Sequence, residues 1–138
     1  MTACSVSITT RSDGVETKFN YEGEMALREK AFEICYFEPQ AKVRLLVNES
    51  GAEMAREGDY SLRLFFEKDV LLNGTLGIAG SEGSVQTRTR QIAYSIKQKS
   101  VLLSIKYDLI IGTEKQRMEI RILAREKGNS KDKVGEKI

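Results

Sequence analysis

Hydrophobic and polar residues alternate singly along most of the chain, which is the period of a β-strand with one buried face and one solvated face. No window sustains apolar spacing of three and four residues over the length of a helix. The alternating runs are 5–10, 15–27, 31–37, 42–47, 54–56, 60–67, 70–78, 85–90, 92–96, 101–111 and 117–125. The pattern therefore predicts an all-β protein.

Short segments rich in Gly, Asn, Asp and Ser separate these runs, as expected for hairpin turns. Consecutive hairpins with one apolar face each must close on themselves or stack as two sheets, and a continuous up-and-down order favours closure. The sequence predicts one domain over residues 1–126, an antiparallel up-and-down β-barrel of about eight to ten strands. The turn segments are Ser12-Asp13-Gly14, Asn48-Glu49-Ser50-Gly51, Glu57-Gly58-Asp59, Gly80-Ser81-Glu82-Gly83 and Gly112-Thr113-Glu114.

One run changes its parity partway along. Up to Thr89 the odd-numbered positions form the presumed inner face, whereas beyond Gln91 the apolar positions are the even-numbered Ile92, Tyr94 and Ile96. One extra residue moves every later side chain to the opposite face, so this change predicts a β-bulge.

The end of the chain lacks the apolar alternation of the rest. Residues 127–138 carry mixed charge and very few apolar side chains. Such a segment cannot bury enough surface to offset the entropy of ordering it. We expect residues 127–138 to form a disordered tail.

The charged residues nearly balance, with 22 Lys and Arg against 20 Asp and Glu and a formal net charge of +2. This net charge does not indicate a nucleic-acid partner. Five cations could still form a basic stripe on the outer face of two neighbouring strands. Because no aromatic residues are interleaved as stacking platforms, we interpret the stripe as a solvated sheet face and expect no nucleic acid. The residues of the stripe are Arg88, Arg90, Lys97, Lys99 and Lys106.

The chain contains no His, which removes the commonest general base and the commonest metal ligand. The two cysteines, Cys4 and Cys35, have no CxxC spacing, and we expect both to be reduced thiols. Cys35 has no His to activate it as a nucleophile. The N-terminus shows no basic region followed by an apolar run, and no apolar stretch is long enough for a membrane span. We expect a cytoplasmic protein without metal or cofactor.

Four glutamates offer the carboxylates that a glycosidase pair requires, but two of them alternate outward on one predicted strand and no second wall of a cleft is visible. These are Glu22, Glu24, Glu33 and Glu38. No catalytic constellation can be assembled from the sequence, so the prediction is that the protein is not an enzyme.

Three features of the chain are notable together: Arg56 and Gly58 at a hairpin with the strand after them, Gly83 leading into the strand of Thr89, and the strand that carries Tyr107 and Leu109. By these features the chain from about Thr17 to Arg125 resembles the YwiB-like family of bacterial proteins of unknown function. The resemblance implies a calycin, or lipocalin-like, β-barrel. It implies no particular activity.

Four residues are candidates for an interior ligand site, namely Arg56, Thr87, Thr89 and Tyr107. An inward Arg with a Tyr partner can hold a ligand carboxylate, as barrels related to lipocalins do. The alternative is that Arg56 lies at a strand end and reaches the barrel rim, while Tyr107 packs in the core and the threonines are ordinary strand residues.

Two functions are therefore open at this stage. The first is binding of a small, partly apolar and acidic molecule inside the barrel. The second is a protein or RNA interaction module that uses an outer sheet face and holds no internal ligand, with a homodimer as one form of it. Outward apolar residues motivate the second function, and they are Leu46, Ala55, Phe65 and Leu71.

Overall fold

In a computed structural model of the protein, which describes residues 1–128, ten β-strands follow one another along the chain without a helix between them. The strands are β1 (Thr2–Ser12), β2 (Val15–Leu27), β3 (Phe32–Glu38), β4 (Ala41–Asn48), β5 (Gly51–Gly58), β6 (Tyr60–Phe66), β7 (Leu71–Ile78), β8 (Ser81–Lys97), β9 (Ser100–Ile111) and β10 (Glu114–Glu126). The all-β prediction is confirmed.

Every strand pairs antiparallel with the next one, and β1 pairs with β10, so the sheet closes into a barrel. In the closing pair, Cys4 lies opposite Glu126 and Ser12 lies opposite Met118. The predicted antiparallel up-and-down barrel is therefore confirmed. Closure leaves no unpaired outermost strand, which is how this architecture avoids exposed sheet edges.

The inner faces of the strands form one hydrophobic core, because residues that lie opposite each other on antiparallel strands share a face. Ile34 faces Leu45, which faces Met54, which faces Leu64, and all four are buried. The largest fully buried side chains are Phe66, Met25, Ile34, Leu45, Leu64, Leu103, Ile105 and Ile122.

Two of the hairpins have two-residue turns with left-handed backbone. Asp13 and Gly14 have φ of 50° and 79°, and Ala79 and Gly80 have φ of 50° and 83°. Two consecutive residues with positive φ make the type I′ turn, whose twist matches that of the flanking strands. The turn predicted at 80–83 is displaced as a result, because Ser81 already pairs with Ile78 and begins β8.

A β-bulge interrupts the pairing of β8 with β9, as predicted. Thr89 lies opposite Tyr107 and Gln91 lies opposite Lys106, so Arg90 is the extra residue. The bulge keeps both Thr89 and Ile92 on the inner face although they are an odd number of residues apart.

The pairing between β2 and β3 is short and covers only Gly23–Leu27 of β2. Residues 15–22 of β2 pair with β1 alone, so the β1–β2 hairpin extends past the barrel wall. The inner face of this extension is not covered by a neighbouring strand. Val15 and Phe19 on that face are exposed.

At the end of the described chain, the backbone N–H of Lys127 donates to the carbonyl of Ala3 at 3.0 Å, and the Lys127 ammonium pairs with Glu22. The predicted disordered tail covers residues 127–138, and its part from residue 129 onward lies outside the described residues. Within residues 1–128, no helix is long and apolar enough to cross a membrane.

Candidate ligand-binding site at one end of the barrel

Arg56 lies on β5 near the end of the barrel that also holds the turn at Asp13, which we call the Asp13 end. Its side chain is 10% exposed. Nε donates to Oε1 of Glu38 at 2.9 Å, and Nη2 lies 2.8 Å from Oδ1 of Asp59. Nη1 donates to the carbonyl of Tyr60 at 2.8 Å, and the guanidinium carbon lies 3.7 Å from the centre of the Tyr60 ring. All three guanidinium nitrogens therefore have protein partners.

The electrostatics of this cluster follow from those contacts. The hydrogen bond and the charge of Arg56 lower the pKa of the Asp59 carboxyl. Burial and then the negative charge of Glu38 raise the pKa of Tyr36, which lies on the neighbouring inner face. Tyr36 is therefore a neutral phenol and not a general base at physiological pH.

An aromatic stack runs along the inner face from Tyr36 to the extension of the β1–β2 hairpin. The ring centres of Tyr36 and Tyr21 are 5.3 Å apart, and those of Tyr21 and Phe19 are 6.0 Å apart. The stack begins buried at Tyr36 and ends exposed at Phe19. It provides a continuous apolar path from the core to the Asp13 end.

Thr87, Thr89 and Tyr107 lie together in one wall of the barrel, formed by β8 and β9, and all three are buried. The Thr87 hydroxyl donates to the carbonyl of Phe65, whereas the Thr89 hydroxyl is buried without a hydrogen-bond partner. The Tyr107 ring packs edge-on against Phe66 with ring centres 4.8 Å apart, and burial raises the pKa of Tyr107 to about 12. Arg56 forms its contacts with a different set of residues.

Five of the nine large apolar side chains that are exposed within residues 1–128 lie at the Asp13 end on inner-face positions. The cross-strand pairs identify the face: Phe19 lies opposite the buried Ile8, and Tyr60 lies opposite Ile78. Exposed apolar side chains grouped at one end of a fold are typical of a binding surface. We call this set the apolar rim, and it consists of Val15, Phe19, Tyr60, Ile78 and Ile111.

A cavity of about 380 Å³ lies at the same end, between the turn at Asp13 and the ends of β9 and β10. Its apolar lining comes from Leu109 and Ile111, which continue the inner face beyond Tyr107. Its polar lining is formed by Asp13, Glu114, Lys115 and Gln116. The volume is within the range of small-molecule sites.

Charge in this cavity favours cations. Within residues 1–128, neither Asp13 nor Glu114 has a Lys or Arg nitrogen within 4.0 Å, while Lys115 already lies 3.6 Å from Oδ2 of Asp108. The two carboxylates are therefore uncompensated, and the one ammonium is engaged. A ligand with a carboxylate would meet two like charges here.

Neither thiol has the environment of a nucleophile. Burial, followed by the charges of Glu22 and Glu24, raises the pKa of Cys4 to about 11. Burial and the charge of Glu33 raise the pKa of Cys35. Both thiols are free in the described chain and protonated at neutral pH.

The four glutamates considered for glycosidase chemistry are not assembled into a pair. Glu33 accepts a hydrogen bond from Arg44 at 2.8 Å, and Glu38 accepts one from Arg56. Glu22 and Glu24 are exposed on the outer face of β2. Among residues 1–128, no three Asp, Glu or Cys side chains are grouped so that they could hold a metal ion.

The outward apolar residues Leu46 and Ala55 lie in a groove of about 290 Å³ on the outer face of β4 and β5. Salt-bridged side chains border this groove, including Arg63 with Glu53 at 2.6 Å. The guanidinium carbon of Arg63 lies over the Phe65 ring, 5.7 Å from the centre of that ring. Leu71 is exposed at the start of β7. Leu46 and Phe65 together line a second groove of about 280 Å³ on the same side of the barrel, and neither groove includes Leu71.

Sequence reasoning placed the apolar-rim residues on the inner face but did not identify them as exposed. Their alternation is the same as that of buried residues, so no local signal separates the two. For Val15 and Phe19 the difference arises because the hairpin of β1 and β2 is longer than the strand that follows it, whereas Tyr60, Ile78 and Ile111 are the terminal residues of their strands.

Comparison with known proteins supports this assignment of the fold. Residues 3–122 match the sequence profile of the family described as Domain of unknown function (DUF1934). The crystal structure of the ywiB protein from Bacillus subtilis has a TM-score of 0.76 with this chain at 18% sequence identity, and the match covers 91% of this chain and 90% of that chain. None of the curated proteins matches the chain. The chain belongs to the family described as Domain of unknown function (DUF1934), and its barrel has the fold of the ywiB protein.

Proposed function

We propose that the protein binds a small, partly apolar molecule at the Asp13 end of its barrel. The observation that carries this proposal is the apolar rim, in which inner-face side chains that would be core residues elsewhere are exposed at the Asp13 end. A cavity of about 380 Å³ adjoins Ile111 of this rim, and the aromatic stack adjoins Phe19. Exposed apolar surface of this kind typically marks a site that a ligand or a partner covers.

The charge of the ligand follows from the polar lining. The acidic ligand considered from the sequence requires an Arg56 guanidinium that is free to hold a carboxylate. This guanidinium is instead bonded to Glu38 and Asp59, and a ligand carboxylate would have to displace one of them. Asp13 and Glu114 add uncompensated negative charge. We therefore expect a neutral or cationic ligand.

The role of the four predicted site residues is then structural support of the site. Arg56 holds the ring of Tyr60 in the rim through the contact at 3.7 Å. Tyr107, Thr87 and Thr89 form the buried wall below Leu109 and Ile111. None of the four needs to touch the ligand for the rim to bind it.

A titration with Nile red, a neutral apolar dye, tests the proposal on single-site variants of matched exposure. Ile111 in the rim is 44% exposed and Leu102 on the outer face of β9 is 42% exposed. We expect Ile111→Ser to weaken dye binding about fivefold or more, because the lost apolar area is worth about 1 kcal/mol. Leu102→Ser should leave the affinity unchanged. Equal affinities for the two variants would refute the assignment of the site.

Native mass spectrometry of the freshly purified protein identifies what occupies the site. A bound small molecule that is lost in Ile111→Ser and retained in Leu102→Ser supports the proposal. A dimer that Ile111→Ser dissociates would instead show that a second copy covers the rim, and this outcome would overturn it.

A further inference from the structure

The outer surface of β8, β9, β10 and β1 is strongly basic although the whole chain is nearly neutral. The pairing registers bring these cations together: Arg88 and Arg117 both lie opposite Asp108, and Arg11 and Lys106 both lie opposite Glu119. We call this surface the basic face. Its cations are Arg11, Arg88, Arg90, Lys97, Lys106, Lys115, Arg117, Arg121 and Arg125.

Most of these cations are not neutralised by the described chain. Within residues 1–128, only Arg11, Arg90 and Lys115 of the basic face have a carboxylate oxygen within 4.0 Å. The outer surface of β3 to β6 differs, because Arg44 pairs there with Glu33 and Arg63 pairs with Glu53. The positive potential is therefore concentrated on one side of the barrel.

Asp108 organises the centre of the basic face. It is 3% exposed, and its carboxylate lies 3.5 Å from Nε of Arg90 and 3.6 Å from Nζ of Lys115. The β-bulge at Arg90 directs that side chain toward the carboxylate. One buried negative charge thus lies beside two cations and leaves the surface positive, although Arg90 Nε and Asp108 Oδ1 form no hydrogen bond within the described chain.

A groove of about 270 Å³ lies on this surface near the turn at Asp13. Four cations line it against two carboxylates. A groove with an excess of guanidinium and ammonium groups suits a phosphate, which accepts several charge-assisted hydrogen bonds at once. The four cations are Arg11, Arg90, Lys106 and Arg117.

From this surface we propose a second binding activity, directed at the phosphate backbone of single-stranded RNA and independent of the apolar rim. Lys115, Arg117, Arg121 and Arg125 lie along the outer face of β10, with Glu119 and Leu123 at the two outer positions between them, and this row is about 34 Å long at 3.4 Å per residue. A row of this length suits a linear chain of phosphates better than a single small anion. No aromatic side chain lies on the basic face within residues 1–128, so binding is expected to be independent of base sequence.

The sequence argued against this partner because the stripe on β8 and β9 lacks interleaved aromatic side chains, whereas the proposed binding depends on phosphate contacts, which need none. The sequence also grouped only the cations of β8 and β9. Arg11, Arg117, Arg121 and Arg125 join them only through the β1–β10 and β9–β10 pairs. The stripe then becomes a face that spans four strands, which is the kind of electrostatic footprint nucleic-acid binding requires.

The test uses a fluorescein-labelled single-stranded RNA of about 12 nucleotides and mixed sequence, followed by fluorescence anisotropy. The variant carries Arg88→Gln, Arg117→Gln and Arg121→Gln, three exposed residues of the basic face without a carboxylate partner in the described chain. The matched control carries Lys42→Gln, Arg44→Gln and Arg63→Gln, which removes the same number of charges from the opposite side. Thermal unfolding of both variants verifies that they fold.

In about 50 mM salt we expect the basic-face variant to bind RNA at least about tenfold more weakly than the unmodified protein and the control to bind within about twofold of it. The slope of log K against log salt should be about −3 for four phosphate contacts and should approach −1 in the variant. Undetectable RNA binding, or equal losses in variant and control, would overturn the proposal. Binding to phosphatidylglycerol vesicles without binding to RNA would also overturn it.

Discussion

Glu38 on β3 and Arg56 on β5 are joined by a hydrogen bond of 2.9 Å that passes over the inner face of β4, the strand between them. Glu38 lies opposite Ala41, and Arg56 lies opposite Val43. The bond therefore requires the correct register in two successive strand pairs. A shift by one residue in either pair would turn one of the two side chains to the outer face.

Arg56→Met should destabilise the protein by about 2 kcal/mol, because it leaves the Glu38 carboxylate half-buried without its partner while the side-chain stem is retained. Arg44→Met is the control. It removes a pair of similar length, 2.8 Å, whose arginine is 53% exposed, and it should cost less than about 0.5 kcal/mol. Urea unfolding measures both values. Equal stability of the unmodified protein and Arg56→Met would contradict a structural role for this residue.

The Asp59 carboxyl provides a second readout of Arg56. Its pKa is lowered by the hydrogen bond from Arg56, so the stabilisation it provides is present above its unfolded pKa of 3.8 and is lost as pH falls through the lower folded value. In Arg56→Met the pKa of Asp59 should return toward its ordinary range. An NMR titration of the carboxyl carbon follows this change, and an unaltered pKa would show that Arg56 is not its cause.

Thr87→Val and Thr89→Val should have opposite effects although both replace a buried threonine on β8. Thr87→Val removes the bond to the Phe65 carbonyl and should destabilise by about 1 kcal/mol. Thr89→Val removes a buried hydroxyl that has no partner and should stabilise by about 1 kcal/mol. Denaturant unfolding measures the change in the free energy of unfolding for each variant. A loss of stability in Thr89→Val would mean that its hydroxyl has a partner in solution.

Tyr107 should make stability fall at alkaline pH. Burial raises the pKa of Tyr107 from 10.0 to about 12. As pH rises between these values, the phenol ionises in the unfolded chain before it ionises in the folded protein, and this lowers the free energy of the unfolded state relative to the folded state. The contribution is therefore complete below pH 10.0 and declines above it. Relative to Tyr107→Phe, the unmodified protein should lose about 1 kcal/mol on passing from neutral pH to about pH 11. Parallel stability curves for the two proteins would exclude this linkage.

Deletion of Arg90 should be tolerated better than deletion of Arg88. Without Arg90, the pairs Thr89 with Tyr107 and Gln91 with Lys106 become consecutive, and every inner-face residue of β8 keeps its face. Without Arg88, the alternation would turn Arg90 toward the core. Thermal unfolding should show the higher midpoint for the Arg90 deletion, and the reverse order would mean that the bulge itself is required for closure.

The period-2 alternation was sufficient to predict an antiparallel barrel of about eight to ten strands, because each inner face is apolar along its buried length. The ends of strands were less predictable. β10 begins at Glu114 and β8 at Ser81, in segments that are polar on both faces and carry no alternation. Backbone hydrogen bonding across a hairpin extends the pairing there regardless of side-chain polarity.

The candidate site was harder to predict than the fold, because alternation assigns each side chain to a face of the sheet but does not identify its contact partners on other strands. Parity shows that Arg56 points inward but not which residue meets it, because Glu38 is 18 positions away and reaches it only through the register of β4. The basic face depends on the pairing of β1 with β10, which no local pattern contains.

The pairing of β1 with β10 also determines how the chain must fold. Nine of the strand contacts join neighbours in sequence and can form as local hairpins, whereas the tenth brings Cys4 to Glu126 across nearly the whole chain. Loop-closure entropy makes this the slowest contact to form, since folding rates fall as the sequence separation of contacts rises. Until it forms, β1 and β10 are two open sheet edges on one molecule, and each is complementary to the other on a neighbouring molecule. Refolding yield should therefore fall with protein concentration even though β1 and β10 offer no edge to a neighbouring molecule once they have paired.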